Sequence, residues 1–328
     1  MSVIENLMKQ ASQKRKTIVL SETEDIRILE AASKILENDF ANLVLVGDIE
    51  EMKKVAPEYD LSKATILNPE NYDRFDEMVN MFYELRKHKG MTEEKAREVL
   101  KDSTYFATML VKMGIADGLV CGATHSTADT LRPGLQIIKA GEGVTTVSAF
   151  SIMEVPNCEF GNNGTFFFAD TGLVENPNAE QLAEIAIVTA DSYKAIMDDE
   201  PIVAMLSYST YGSAKSELTE KVIEATKIVK ERRPDLLVDG ELQLDAAIIE
   251  SVGKSKAPES KVAGRANVLV FPDLNCGNIG YKIVERLAKA NAYGPITQGM
   301  AKPINDLSRG CKADDIVGAA AITCLQAK

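Results

Sequence analysis

The stretch Lys16-Thr-Ile-Val-Leu-Ser-Glu-Thr-Glu-Asp-Ile-Arg-Ile-Leu-Glu-Ala-Ala-Ser-Lys-Ile-Leu-Glu-Asn-Asp-Phe-Ala-Asn-Leu-Val-Leu-Val-Gly47 decides the fold. Lys16 to Ser21 carries a short apolar run, the mark of a strand covered on both faces. Glu24 to Leu36 spaces its apolar residues at helical intervals, and Asn42 to Gly47 is a second apolar run that stops at glycine. A strand, a helix and a strand in that order form a βαβ unit, whose strands are parallel.

The alternation continues outward. Ala64 to Pro69 is a third strand, and Asp73 to Lys87 reads as a helix with Met78, Met81, Phe82 and Leu85 along one stripe. Gly118 to Gly122 is a further strand, followed by a helical pattern from Thr127 to Lys139. Gly141-Glu-Gly143 punctuates the chain, and the β-rich segments Thr145–Pro156 and Gly164–Thr171 beyond it predict a hairpin or sheet edge. Helices are then expected at 179–197, 217–232, 244–252 and 277–290, with strands at 201–207, 236–239 and 267–272 between them. A last apolar helix, Asp314 to Leu325, is expected to pack back on the first domain. The fold class is therefore α/β: two domains, each a largely parallel sheet flanked by helices.

The chain has 328 residues, of which 45% are hydrophobic and 26% charged, a mix that argues against a disordered protein. No apolar stretch approaches the ~18 residues of a membrane helix. The net charge of −12 argues against nucleic acid and anionic membrane as partners, but not against an anionic small molecule, which responds to local charge. The five cysteines form no C-x-x-C pair and the start lacks a secretory pattern, so reduced thiols and a cytoplasmic location are expected. Only His88 and His125 are present, which removes H-E-x-x-H zinc chemistry and argues against histidine as the general acid or base.

In open α/β sheets ligands bind beyond the carboxyl ends of the strands, so the loops that follow strands hold the candidates. Cys121-Gly-Ala-Thr-His-Ser-Thr-Ala-Asp-Thr-Leu-Arg-Pro133 follows a strand and opens a helix. Ser126 or Thr127 can cap that helix, whose free N–H groups favour an anion, and Arg132 lies one to two turns on. Plain capping is the ordinary structural alternative. Tyr83-Glu-Leu-Arg-Lys-His-Lys-Gly90 gathers Arg86, Lys87 and Lys89, which either hold phosphates or simply complement a helix C-terminus. Leu206–Gly212 and Asp273–Gly280 are hydroxyl- and amide-rich post-strand loops, the second leading into Tyr281 and Lys282. None carries the dinucleotide or P-loop fingerprint. The densest cluster, Lys302-Pro-Ile-Asn-Asp-Leu-Ser-Arg-Gly-Cys-Lys-Ala-Asp-Asp315, reads as a Gly/Pro loop before an apolar helix. One of its acids can be a first-turn cap, which leaves Ser-Arg-Gly-Cys unexplained.

Asn291-Ala-Tyr-Gly-Pro-Ile-Thr-Gln-Gly-Met-Ala-Lys-Pro-Ile-Asn-Asp-Leu-Ser-Arg-Gly-Cys311 and Ala123-Thr-His-Ser-Thr-Ala-Asp-Thr-Leu-Arg-Pro133 closely resemble the phosphate acetyltransferase (phosphotransacetylase) family, and the likeness runs essentially end to end. The resemblance implies interconversion of acetyl-CoA plus phosphate with acetyl phosphate plus CoA. It implies an isocitrate/isopropylmalate dehydrogenase-like fold with the active site in an interdomain cleft, a homodimer, and no tightly bound cofactor, CoA and acetyl-CoA being substrates. It places the C-terminal segment with the first domain, giving 1–143 plus 297–328 and a second domain 144–296. Carried over by motif position, the catalytic residues are Ser308, Arg309 and the proton acceptor Asp315. Arg132 and Arg86 serve CoA or phosphate, with Ser126, Thr127, Tyr281 and Lys282 as further substrate-binding candidates and no metal.

In the acyl transfer so implied, the CoA thiolate attacks the acetyl carbonyl. A thiol has a pKa of ~8.5 and an ordinary Asp ~3.9, so Asp315 is expected to be partly buried, with a cation nearby that stabilises the thiolate. Ser308 would donate to the developing oxyanion and Arg309 would grip the phosphoryl oxygens as a fork. No histidine is evident to activate Ser308, so direct transfer is expected rather than an acyl-enzyme. The competing readings are a longer-chain (butyryl) acyltransferase, a metal- and NAD(P)-dependent decarboxylating dehydrogenase with Asp239, Glu241 and Asp245 as ligands, and a non-catalytic acyl-CoA sensor.

Overall fold

The computed structural model describes residues 2–328. The chain forms two compact units, one made of the residues before Gly143 together with Met300–Lys328, the other of Gly143–Gly299.

The first unit is built on a five-stranded, wholly parallel sheet. Its strands are β1 (Thr17–Leu20), β2 (Asn42–Val46), β3 (Thr65–Leu67), β4 (Gly118–Cys121) and β11 (Ile304–Asp306), in the order β11-β4-β1-β2-β3. The helix Ile26–Asn38 supplies the first crossover, as the opening βαβ pattern requires, with Asp25 capping it through its side chain. One face of the sheet is covered by Phe82, Phe106, Met109 and Leu110, all fully buried. The other is covered by the helix Ala313–Gln326, which packs on the helices Val3–Lys14 and Ile26–Asn38 and on β4. Its run Gly318-Ala-Ala-Ala321 lets it approach closely, and Asn305 Nδ2 in β11 donates to Thr323 Oγ1 at 2.8 Å. This contact explains in physical terms why the C-terminal segment returns to this sheet.

The second unit holds a mixed sheet of β5 (Ser148–Glu154), β6 (Thr165–Ala169), β7 (Ile202–Leu206), β8 (Leu237–Leu242), β9 (Val268–Val270) and β10 (Asn291–Gln298), ordered β10-β5-β6-β9-β7-β8. The β10-β5 and β5-β6 pairs are antiparallel and the other three parallel, so the β-rich stretch after Gly143 is the antiparallel edge of a largely parallel sheet. Phe150 and Phe167 stack across β5 and β6 at 4.8 Å over the fully buried Tyr193 of the helix Ala179–Met197.

Several elements differ from expectation. Ile304–Asp306 is a strand rather than part of a loop, because its backbone pairs with Leu119–Cys121; three residues are too few to show a period. Asn291–Gln298 is likewise a strand. The helix expected over 244–252 is two, Leu244–Ile248 and Glu250–Lys256. The helix beginning at Thr127 runs regularly to Pro133 and then widens over Gly134–Ile138. Helices Val3–Lys14, Ile49–Val55, Glu93–Val99 and Ser103–Lys112 were not assigned from the sequence.

Candidate active site

Strands β11, β4 and β1 are neighbours and parallel, so the loops that leave their carboxyl ends emerge side by side. Asp306 is in register with Cys121, and the N–H of Leu307 donates to the Cys121 carbonyl at 2.7 Å. The Ser308-Arg309 segment therefore leaves the sheet beside the Gly122–Ser126 segment.

Glu22, just past β1, ties the Gly122–His125 loop to the end of β1. Its side chain is fully buried, an unusual place for a carboxylate. It accepts the backbone N–H groups of Gly122, Ala123 and Thr124 at 2.7, 2.8 and 2.9 Å, the Thr124 hydroxyl at 2.7 Å, and faces His125 Nδ1 at 2.6 Å. Burial opposes its charge, but the bonds from His125, Thr124 and Ala123 outweigh it and hold the carboxyl below its ordinary value. The same bond raises the pKa of His125.

Arg27 ties the loops from the side. Its Nη1 donates to the carbonyls of Arg309 and Cys311 at 2.8 and 2.9 Å, and Nη2 to the carbonyl of Ala123 at 3.0 Å. Asp25 holds the guanidinium at 2.7 Å. One planar fork thus fixes backbone from the loops after both β4 and β11, a geometry Lys could not reproduce.

Asp306 ends β11 beneath this layer. Its Oδ1 is buried and has no hydrogen-bond partner among the described residues, and the same holds for the Thr130 hydroxyl. Burial pushes the Asp306 carboxyl up to about 6, Glu22 adds to the rise, and the nearby hydroxyls of Thr127 and Thr130 and the charge of Arg309 oppose it. A Cβ on Gly122 would lie 2.3 Å from Asp306 Oδ1, so only glycine fits there, and its φ of +102° also favours glycine.

The predicted catalytic residues follow. Ser308 and Arg309 are exposed, and Ser308 Oγ accepts the N–H of Gly310 at 3.3 Å. Asp315 is exposed, not partly buried as expected: it sits in the first turn of the helix Ala313–Gln326, where its carboxylate accepts the Lys312 N–H at 2.7 Å. Lys34 reaches this helix start, and it pairs with Asp314 at 2.7 Å and with Glu30 at 2.8 Å rather than with Asp315.

Ser126 is the N-cap of the helix Thr127–Pro133, and its hydroxyl is committed to Asp129, donating to Oδ2 at 2.7 Å and accepting its N–H at 3.3 Å. Arg132 pairs with Asp129 at 3.3 Å, half exposed. Arg86 ends the helix Phe75–Arg86, and its Nε is buried without a hydrogen-bond partner among the described residues. Arg132 and Arg86 both act on Tyr105, whose pKa burial raises and these two cations oppose.

Tyr281 and Lys282 belong to the second unit, on the helix Leu274–Leu287. Tyr281 packs partly into that unit's core, while Lys282 Nζ lies 5.7 Å from its ring centre and 2.9 Å from Asn278 Oδ1. The trio Asp239, Glu241 and Asp245 is occupied by protein donors. Asp239 takes Lys230 at 2.7 Å, Tyr211 at 2.5 Å and Ser260 at 2.5 Å; Glu241 takes Ser209 and the Gly212 N–H, each at 2.8 Å; Asp245 takes Lys256 at 2.8 Å. Three acids each satisfied by its own partners do not converge as a metal site.

Residues 2–324 match the family model described as phosphate acetyl/butaryl transferase. The chain belongs to this family. It is 57% identical to the phosphate acetyltransferase of Acetivibrio thermocellus, over all of this chain and 99% of the relative. To that of Thermoanaerobacterium thermosaccharolyticum it is 55% identical, over the full length of both. Among solved structures, a phosphotransacetylase from Streptococcus pyogenes superposes with a TM-score of 0.92 at 45% identity, covering 100% of this chain and 99% of that one.

Reading the sequence does not reveal the parts played by Glu22 and Arg27, which lie outside the family motifs, or the state of Asp306. Glu22 was reachable, since it lies in a post-strand loop, where chemistry was being sought. Arg27 was not, because its partners lie about a hundred and nearly three hundred residues along the chain.

Proposed function

We propose that the protein interconverts acetyl-CoA and phosphate with acetyl phosphate and CoA by direct acyl transfer at the carboxyl edge of β11, β4 and β1. The observation that carries this reading is the exit of Ser308-Arg309 beside the Gly122–Ser126 loop, with both loops held by Arg27. In the acetyl-CoA-forming direction the CoA thiol sulfur attacks the acetyl carbon as its proton passes to Asp315, and the carbonyl π-electrons move onto oxygen. The Ser308 O–H donates to that oxyanion, a role worth about a hundredfold or more in rate. Collapse breaks the bond between the acyl carbon and the bridging oxygen, and phosphate leaves with its charge held by the Arg309 fork.

Asp315 takes the thiol proton in this scheme, with transfer concerted with attack because an exposed Asp is a weak base. Ser308 Oγ accepts from Gly310, and His125 is engaged with Glu22, so neither contact supports a Ser–His nucleophile; this favours direct transfer over an acyl-enzyme. Arg132, Arg86, Ser126 and Thr127 bind CoA or phosphate, with Tyr281 and Lys282 contributing from the second unit. The interdomain cleft, the isocitrate/isopropylmalate dehydrogenase-like architecture and the cytoplasmic location belong to the same reading. So does a homodimer, supported by the exposed apolar stripe Ile279, Ile283 and Leu287 on the helix Leu274–Leu287, the last 80% exposed.

The test is acetyl-CoA formation from acetyl phosphate and CoA in the presence of EDTA. Absence of turnover would overturn the reading. A higher kcat/KM for butyryl than for acetyl substrates would replace it with the longer-chain transferase.

A further inference from the structure

Three successive N–H groups converging on one point after a strand form a nest suited to an anion. Here the nest of Gly122, Ala123 and Thr124 is filled by the protein's own Glu22 carboxylate, so it is not open to a substrate phosphate. The filled nest also fixes what lies next to it. Gly122 leaves no room for a Cβ, which would meet Asp306 Oδ1 and the backbone of Leu307, and Leu307 adjoins Ser308. On the other side the nest leads through His125 into Ser126 and Thr127.

We propose that Glu22 is a positioning residue for acyl transfer, acting through Gly122–His125 to set the Ser308 loop on one side and the Ser126–Arg132 segment on the other. The proposal rests on the acyl-transfer reading of this site. Glu22 touches no reacting atom in it; its part is to hold the backbone against which the reacting loop is placed, and a shift of about 1 Å in such a loop is costly. His125 is the titratable arm of the arrangement. Its ring, one-third exposed, is held by Glu22, with Glu24 and Asp102 adding to the field on it and Asp129 within its electrostatic reach. All four are acidic, so the imidazolium form is favoured above the ordinary histidine range, and the grip on the loop weakens as pH rises through that titration.

The experiment uses the full chain with Glu22→Gln, His125→Gln and the double variant, measuring kcat, KM for each substrate, the pH profile between about 6 and 9, and the melting temperature. Glu22→Gln keeps the shape and loses the charge; the expected result is a folded protein with kcat down at least ~tenfold and KM values changed much less. His125→Gln is expected to lose severalfold and to flatten the alkaline fall that the proposal predicts for the wild type. The double variant should be no worse than Glu22→Gln, since both act on one loop. A folded Glu22→Gln with wild-type kcat overturns the proposal, and so do single losses that multiply in the double variant. If Glu22→Gln does not fold, His125→Gln decides: a pH profile superimposable on the wild type rejects the coupling. Wild-type inactivity would instead reject the acyl-transfer reading, so the two failures are distinguishable.

Discussion

The backbone N–H of Lys312 donates to the Asp315 carboxylate at 2.7 Å, so the acid assigned to the thiol proton also closes the first turn of the helix Ala313–Gln326. The two roles separate by substitution. An Asn side-chain oxygen can still accept that N–H but cannot take a proton at neutral pH. Asp315→Asn should therefore lower kcat at least ~a hundredfold with little change in melting temperature, while Asp315→Ala loses the cap as well, at about 1 kcal/mol. Near-normal turnover of the Asn variant would move the base elsewhere, and Asp306 is then the first candidate.

Asp306 makes the contrasting prediction. Its carboxyl is raised to about 6, chiefly by burial, so ionisation costs stability as pH rises from the ordinary Asp value through that point. Asp306→Asn removes the cost. The variant should melt at or above the wild-type temperature near pH ~8, and the difference should shrink near pH ~4, where both side chains are neutral. A large loss of stability at the higher pH would contradict the assigned direction.

Ser308 is exposed and, among the described residues, accepts a long bond from Gly310, so its hydroxyl proton is available to a developing oxyanion. Ser308→Ala should lower kcat by about a hundredfold or more with KM little changed. An unchanged kcat would remove Ser308 from the mechanism.

Gly122 tests the packing beneath the site. An added Cβ would meet Asp306 Oδ1 at 2.3 Å and the Leu307 nitrogen at 2.8 Å, at a φ that L side chains rarely adopt. Gly122→Ala should cost about 1–3 kcal/mol and also lower kcat, because the displaced atoms adjoin Ser308. Loss of stability with kcat unaltered would show that the loop relaxes without moving the serine.

The strands and the helices with a clear apolar stripe were legible because burial imposes a period, as in Lys16–Ser21 and Met78–Leu85. Ile304–Asp306 was not, since its partner strand lies about two hundred residues away and three residues show no period. The site motifs were legible as residue types in post-strand loops and, for their roles, by family resemblance. Their microenvironments were not. Whether Asp315 or Asp306 is the buried acid depends on which backbone each side chain meets, and that is a tertiary fact. Glu22 looks in sequence like any polar residue after a strand; only the fold turns three N–H groups toward it.

In the second unit the carboxylates of Asp239, Glu241 and Asp245 are held by protein donors. Burial alone would raise the Asp239 carboxyl, but bonds from Lys230, Ser260 and Tyr211 outweigh it and hold it below the ordinary range. A depressed carboxyl contributes stability that is present above its unfolded value, ~3.9, and lost as pH falls through the folded one. Asp239→Asn should therefore melt below the wild type near neutrality, by a margin that narrows on acidification below about pH 4. Because Asp239, Glu241 and Asp245 are each engaged by separate protein donors, EDTA should leave wild-type turnover unchanged. Loss of turnover under EDTA, restored by a divalent cation, would show that these donors yield to a metal and would revive the dehydrogenase reading.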